Sequence, residues 1–381
     1  MKHYFLSANE DLENGLLQSQ FVEPVMCYFQ GDYQLVSINR PFYRRYGNQL
    51  AHQLNILVPP RLIAYNPLCW LYLPWALLAA ICLRLVFRKQ KVQDTCYVAR
   101  GYLTGLVCWF LNRLFGITYV FDPRSLYPLE SLTAKLMHEH SIAFFFWMKI
   151  EKLVLFRAEK VLCVSNGMLR YYRRRYGYQR CVLIPCFSSG EAQYGNISST
   201  EFRNALGIPK VKKLLLYFGS LNKGWNNIEA YTQILKQFPA EDYHILLVTQ
   251  DAHQVRHSPL GQWDNVTTFN MQELPETIVL ADCFRYADFG LVFMTRSRDW
   301  YTRLSVKFAE YTCQGLPVIS NNWVGEAAFL IRRHHLEPSV ILRDQAVLPE
   351  LATDIQRQAI ANWARKYFSP THINRILGNT I

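Results

Sequence analysis

Apolar and polar positions along this chain change period often enough to outline its elements. Short runs rich in Val, Ile, Phe and Tyr predict strands at 3–8, 95–99, 117–121, 161–164 and 182–184. Helical spacing fills the gaps at 102–115, 141–156 and 167–176. In the last of these, Met168, Tyr172 and Tyr176 share one face, while Arg173, Arg174 and Arg175 crowd the other. Residues 186–200 are polar and rich in Gly and Ser, which reads as a linker. The alternation then restarts with strands at 214–218, 244–248, 266–269, 289–293 and 317–320, and helices at 226–238 and 275–285. Two halves that each alternate strand and helix predict an α/β protein of two doubly wound, Rossmann-like domains facing a cleft.

The stretch from Ser305 to Ile319 adds chemistry to that outline. It predicts a helix opening on Ser305 and closing at Gly315, followed by a buried strand from Pro317. Because a strand also precedes it, the helix is a crossover whose N-terminus points at the carboxyl edge of the sheet, where open α/β folds bind ligands. Lys307 in the first turn adds positive charge to backbone N–H groups that already favour phosphate. Glu310 lies on the same face, one turn on, placed to accept both hydroxyls of a ribose. A nucleoside diphosphate is the ligand this pairing suits.

The pattern Lys307-Phe-x-Glu310-Tyr-x-x-x-Gly-Leu-Pro-Val-Ile resembles the donor-site signature of GT-B glycosyltransferases, in particular the retaining family 4 and its relatives. The resemblance runs over most of the chain from about residue 115 and is weaker before it. It implies that Ser305, Lys307 and Glu310 hold the diphosphate and ribose of a nucleotide sugar. The loop Gly219-Ser220-Leu-Asn-Lys223-Gly is similar to the family's phosphate loop, with Ser220 where arginine is commoner. Gly219, Ser220 and Lys223 are therefore expected at the donor. Where most members carry a glutamate eight residues before Glu310, this chain has Thr302, and Arg296, Asp299 and Arg303 of the same loop are candidates to meet the sugar. Asp122 and Arg124, in Phe121-Asp-Pro-Arg-Ser, resemble a Phe-Asp-x-Arg-Gly loop of transferases that build bacterial polysaccharides, with Glu130 near the following acidic position. The expected catalytic residues are Asp122, Arg124 and Lys307. Ser165 matches a Val-Ser loop that caps the next helix, and Ser19-Gln20 is similar to a stretch some relatives place after their first strand.

Residues 1–188 are thus expected to bind an acceptor, 201–347 to bind the donor, and 348–381 to cross back to the first domain. The implied reaction moves a sugar from a nucleotide donor, a UDP-sugar by family frequency, to a lipid-linked or glycan acceptor, with retention and without metal or cofactor. It is the chemistry of capsule, surface polysaccharide or lipopolysaccharide assembly. Two other readings stay open: a sugar-nucleotide 2-epimerase of the same architecture, and an inactive scaffold of an assembly complex with Thr302 as the lesion.

Composition narrows the partners. The 381 residues carry a net charge of +12, which implies an anionic partner. No RNP, zinc-finger or helix-turn-helix pattern occurs, so nucleic acid is not expected. His138 and His140 flank Glu139 without zinc-site spacing, and no Asp-x-Asp motif is found, so no metal site is expected. The ten cysteines form no CxxC pair and sit in apolar segments, as thiols do in a reducing compartment, and the first residues are too short in apolar length for a signal peptide. From Pro67 to Leu83 no residue is charged, and Arg84, Arg88, Lys89 and Lys91 follow. The run fits a span, a surface-inserted helix or a buried helix, and its basic flank favours anionic headgroups. With the arginines at 170 and 173–175, it predicts a cytoplasmic protein peripheral on the inner face of the cell membrane.

Overall fold

The computed structural model describes residues 1–8, 15–29, 32–38, 51–54, 64–188, 192–223, 226–342 and 349–379. The chain divides into two units, Met1–Pro185 with Pro370–Ile381, and Cys186–Ser369.

The first unit is built on seven parallel strands: β1 (Lys2–Ala8), β2 (Asp32–Ile38), β3 (Ala51–Leu54), β4 (Thr95–Arg100), β5 (Thr118–Asp122), β6 (Lys160–Cys163) and β7 (Cys181–Leu183). Their order across the sheet is β3-β2-β1-β4-β5-β6-β7. Strands β1, β4, β5, β6 and β7 lie within a residue of their expected places. Strands β2 and β3 were not foreseen: β2 buries Gln34 and Ser37, which break the apolar run that would have announced it. The helices are α1 (Gly15–Leu17), α2 (Tyr72–Val86), α3 (Gly101–Phe115), α4 (Tyr127–Thr133), α5 (Ile142–Arg157) and α6 (Asn166–Tyr176). Helix α5 opens where the Ser141 hydroxyl accepts the Phe144 N–H at 3.2 Å, and α6 where Ser165 accepts that of Met168 at 3.0 Å.

The apolar run at 67–83 becomes a 3₁₀ turn followed by α2, with Pro74 tolerated in the first helical turn. The segment Pro67–Val86 is long and apolar enough to cross a membrane. One face of α2 (Tyr72, Trp75, Ala76, Ala79, Ala80, Leu83) is buried, and the helix packs on α3. The opposite face is exposed and equally apolar.

The second unit has a six-stranded parallel sheet. Its strands and one short hairpin are β8 (Lys213–Phe218), β9 (Asn222–Lys223), β10 (Asn226–Asn227), β11 (Tyr243–Val248), β12 (Val266–Phe269), β13 (Phe289–Val292), β14 (Val318–Asn321) and β15 (Val340–Leu342). The sheet order is β12-β11-β8-β13-β14-β15, with β9 and β10 paired apart from it. Around it lie α7 (Ser199–Ala205), α8 (Ile228–Leu235), α9 (Ala252–Arg256), α10 (Leu280–Tyr286), α11 (Val306–Cys313), α12 (Gly325–His334) and α13 (Asp354–Phe368). Helix α8 starts later than expected because Asn227 caps it, accepting the Ala230 N–H at 2.8 Å. Helix α10 is shorter than the expected 275–285, since Pro275 instead begins a turn closed by the Ile278 N–H. In the stretch read as a linker, Cys186 and Phe187 are buried, and Ser198 with Glu201 forms a capping box that starts α7. Helix α13 packs on α11 within this unit. The last helix, α14 (Pro370–Gly378), belongs to the first unit and packs on its turn Pro24–Tyr28.

Candidate functional site

In the second unit the chain starts at β8, moves outward through β11 and β12, then returns to β13 and moves the other way. The topological switch therefore lies between β8 and β13, and a doubly wound sheet binds its ligand outside the carboxyl ends at that point. Gly219 follows β8 there, with φ +121°, a conformation that L side chains rarely adopt. A Cβ added to it would stand 2.6 Å from Cε of Lys307 and 3.0 Å from its Nζ. The lysine thus lies across bare glycine backbone, its ammonium 5.1 Å from the centre of the Tyr217 ring. The loop beneath is fixed: Tyr217 donates to the Ser220 carbonyl at 2.5 Å, and Asp251 accepts from both the Ser220 hydroxyl (2.7 Å) and the Leu221 N–H (2.8 Å). Ser220 thereby holds the shape of the loop through Asp251. The side chain of Lys223, with Gly224 and Trp225, lies outside the described residues.

Helix α11 brings Lys307 and Glu310 to this edge. Its anchor is Tyr311, fully buried, whose hydroxyl accepts the Phe218 N–H at 2.8 Å from the end of β8. The ring fits only because residue 290 of β13 is glycine, since a Cβ there would lie 2.3 Å from it. Ser305 is the N-cap and is buried, but its hydroxyl makes no capping bond to the helix, unlike Ser165 on α6. Glu310 is half-buried and accepts no hydrogen bond among the described residues. Burial pushes its carboxyl pKa up, against the pull of the Lys307 ammonium. A carboxylate kept without donors, beside a lysine laid over glycine, is equipped to take hydroxyls and a phosphate.

The loop after β13 divides the residues expected at the sugar. Asp299 is buried and Arg303 half-buried, and the two pair through two contacts of 3.1 Å within the loop. The buried Thr302 hydroxyl donates to the Asp299 carbonyl at 2.8 Å and closes the turn Trp300–Thr302. Arg296 is exposed, its guanidinium 5.2 Å from the Trp323 ring, which in turn meets Trp300 at 5.7 Å. Asp288 sits at the other end of β13, accepting the Leu214 N–H at 2.6 Å, in a structural role.

In the first unit Asp122 ends β5 directly across from Arg100, its register partner on β4. Its Oδ2 stands 3.8 Å from Arg100 and 3.7 Å from Arg124, while its buried Oδ1 has no hydrogen-bond partner among the described residues. Arg124 takes φ +61°, unusual for a side chain of its size and of the kind that clusters at functional sites. Ser125 donates to Glu130 at 2.5 Å, closing the same loop. Gln20, after β1, is buried and contacts Ser19. His138, Glu139 and His140 are exposed, and among the described residues no group of three or more His, Cys, Asp or Glu is arranged to hold a metal ion.

Gly290, Tyr311, Asp251 and Trp323 support the site and were not singled out from the sequence. Gly290 carried a signal there as a glycine inside an apolar strand, and Tyr311 as the tyrosine that follows Glu310 in the donor-site pattern.

No protein-family model and no curated protein sequence matches this chain. Solved structures do. HepE of Anabaena in complex with UDP aligns with all of the chain and 99% of its own length at a TM-score of 0.66 and 13% identity. Sucrose-phosphate synthase from Thermosynechococcus elongatus aligns with all of it and 93% of its own at 0.62 and 18%. Phytolacca americana UGT2, complexed with UDP-2-fluoro-glucose and pterostilbene, aligns with 99% of it and 98% of its own at 0.56 and 8%. At such identities the likeness is one of fold. The chain has the GT-B fold, two Rossmann-like domains on parallel sheets.

Proposed function

We propose that this chain is a glycosyltransferase that moves a sugar from a nucleotide-diphosphate donor to a lipid-linked or glycan acceptor, with retention of configuration and without a metal. The observation that carries this reading is Lys307 lying over Gly219 with Glu310, which accepts no hydrogen bond among the described residues, on the same helix face at the switch point of the second unit. Lys307 and the N–H groups that open α11 would meet the diphosphate, and Glu310 the ribose hydroxyls. As the sugar leaves, negative charge gathers on the departing diphosphate, and this fixed positive charge stabilises it. Arg296, shelved on Trp323, would meet the sugar, since Thr302 and the Asp299–Arg303 pair are engaged within their own loop. Asp122, between Arg100 and Arg124, would be the acceptor-side carboxylate. That HepE and the Phytolacca protein carry UDP or a UDP-sugar derivative favours uridine as the base.

Nucleotide sugars screened for thermal stabilisation identify the donor, because a ligand specific for the fold raises its melting temperature by mass action. With that donor and acceptor membranes, free nucleoside diphosphate and a labelled glycan should appear together, and excess chelator should leave the rate in place. Interconversion of the donor sugar without an acceptor would instead establish an epimerase. Donor binding without turnover on any acceptor would establish a scaffold.

A further inference from the structure

Helix α5 is turned inside out. Its only carboxylate, Glu151, is fully buried and accepts hydrogen bonds from Tyr102, Tyr171 at 3.0 Å and Tyr176 at 2.6 Å. Its outward stripe follows a spacing of three and four: Ile142, Phe145, Lys149, Lys152 and Phe156, with Leu153 beside it, all exposed. Ile142 and Phe145 are 60% and 54% accessible, far from the burial such side chains take in a soluble fold. Helix α2 behaves alike, exposing Leu78, Ile81, Leu85 and Val86 along one side, and Trp70 stands exposed just before it. Both helices pack against α3, so these faces belong to one layer of the first unit. Across α2, α3 and α5 the cations are Arg84, Arg113, Lys149, Lys152 and Arg157, and the only carboxylate is the buried Glu151.

We infer that the outer faces of α2 and α5 form one lipid-docking surface, which seats the first unit on an anionic bilayer. Apolar side chains interleaved with lysine, and a tryptophan at the margin, suit the boundary between acyl chains and negative headgroups. A protein partner would find lysines within the apolar stripe itself, where protein interfaces are depleted of them. The inner face of α2 is packed on α3, which favours a helix lying on the bilayer over a separate span. The inference concerns the first unit alone and stands whether or not the second binds a nucleotide sugar.

The test is flotation of the purified full chain with phosphatidylcholine vesicles, with and without phosphatidylglycerol. The wild type should float with the anionic vesicles, with Trp70 contributing quenching by brominated lipid, and high salt should release part of it. Phe145→Ser with Phe156→Ser, and separately Lys149→Gln with Lys152→Gln, should each weaken binding at least about tenfold. Both pairs are exposed, and an unchanged unfolding midpoint with unchanged stabilisation by nucleotide sugar would show the fold and the donor site intact. Wild-type flotation of both α5 variants would remove α5 from the surface and overturn the inference. So would the absence of flotation together with a dimer in solution that Phe145→Ser with Phe156→Ser dissociates, since the face would then serve a second copy of the chain.

Discussion

Glu151 in the first unit and Glu310 in the second are both carboxyls whose pKa burial pushes up, yet their surroundings are opposite. Around Glu151 of α5, helices α3 and α6 deliver three tyrosine hydroxyls, so the cost of burying the group is met from within the protein. Around Glu310, among the described residues, no side chain or backbone group donates to it, and the Lys307 charge is its favourable partner. The difference separates a carboxylate that holds helices together from one that waits for a ligand, and burial alone does not distinguish them.

The largest expected effect breaks the first of the pair. Glu151→Ala leaves three buried or half-buried tyrosine hydroxyls without their acceptor and should destabilise the fold by about 3 kcal/mol or more, read from urea unfolding. Donor binding by whatever remains folded should be unchanged. If the loss is no greater than that of an ordinary surface substitution, the network is not structural.

Next in size, Glu310→Ala and Lys307→Ala should each lose about 2–4 kcal/mol of donor binding or transition-state energy without lowering the unfolding midpoint. Glu310→Gln sharpens the contrast through pH. The folded pKa of Glu310 is raised above its usual 4.5, so the folded state holds the proton more tightly than the unfolded one. Stability from this group is full below pH 4.5 and is lost as pH rises through the folded pKa. The Gln variant should therefore melt higher than wild type at neutral pH, with the gap closing towards pH 4.5. A lower melting temperature at neutral pH would mean that Glu310 is structural after all.

A middling effect is expected where α11 is anchored. Tyr311→Phe leaves the Phe218 N–H unpaired at the end of β8 and should cost about 1–3 kcal/mol of stability, with a parallel loss of donor affinity as α11 shifts. Unchanged donor affinity would show that Lys307 and Glu310 do not depend on this bond. The smallest effect compares two serines. Ser165→Ala removes a cap from α6 and should cost about 1 kcal/mol, whereas Ser305→Ala removes none and should cost less than about 0.5 kcal/mol in the absence of ligand.

Much of this was legible before the structure. The crossover helix, its strands and the pairing of Lys307 with Glu310 rest on local spacing, which the sequence displays directly. Strands β2 and β3 were not, because buried Gln34 and Ser37 hide the apolar period. The surroundings of Glu310 and the seat of Tyr311 on Gly290 are facts of packing between distant segments, and no spacing encodes them, whereas the pairing of Asp299 with Arg303 is local, four residues apart in one loop. Helix α5 was legible as a helix but not in orientation: with large apolar residues on both faces, its period does not say which one is covered.

Helix α14 has a consequence for how the chain is made. Because Pro370–Ile381 belongs with Met1–Pro185, the second unit is spliced into the first in order of synthesis. A ribosome releases every residue of the second unit before it supplies Ile373 and Leu377, the buried residues that α14 contributes to the first. The turn Pro24–Tyr28, on which α14 packs, therefore stays uncovered until the end of translation. A nascent chain stalled after Ser369 should show a protease-resistant second unit beside a first unit that is still being cut.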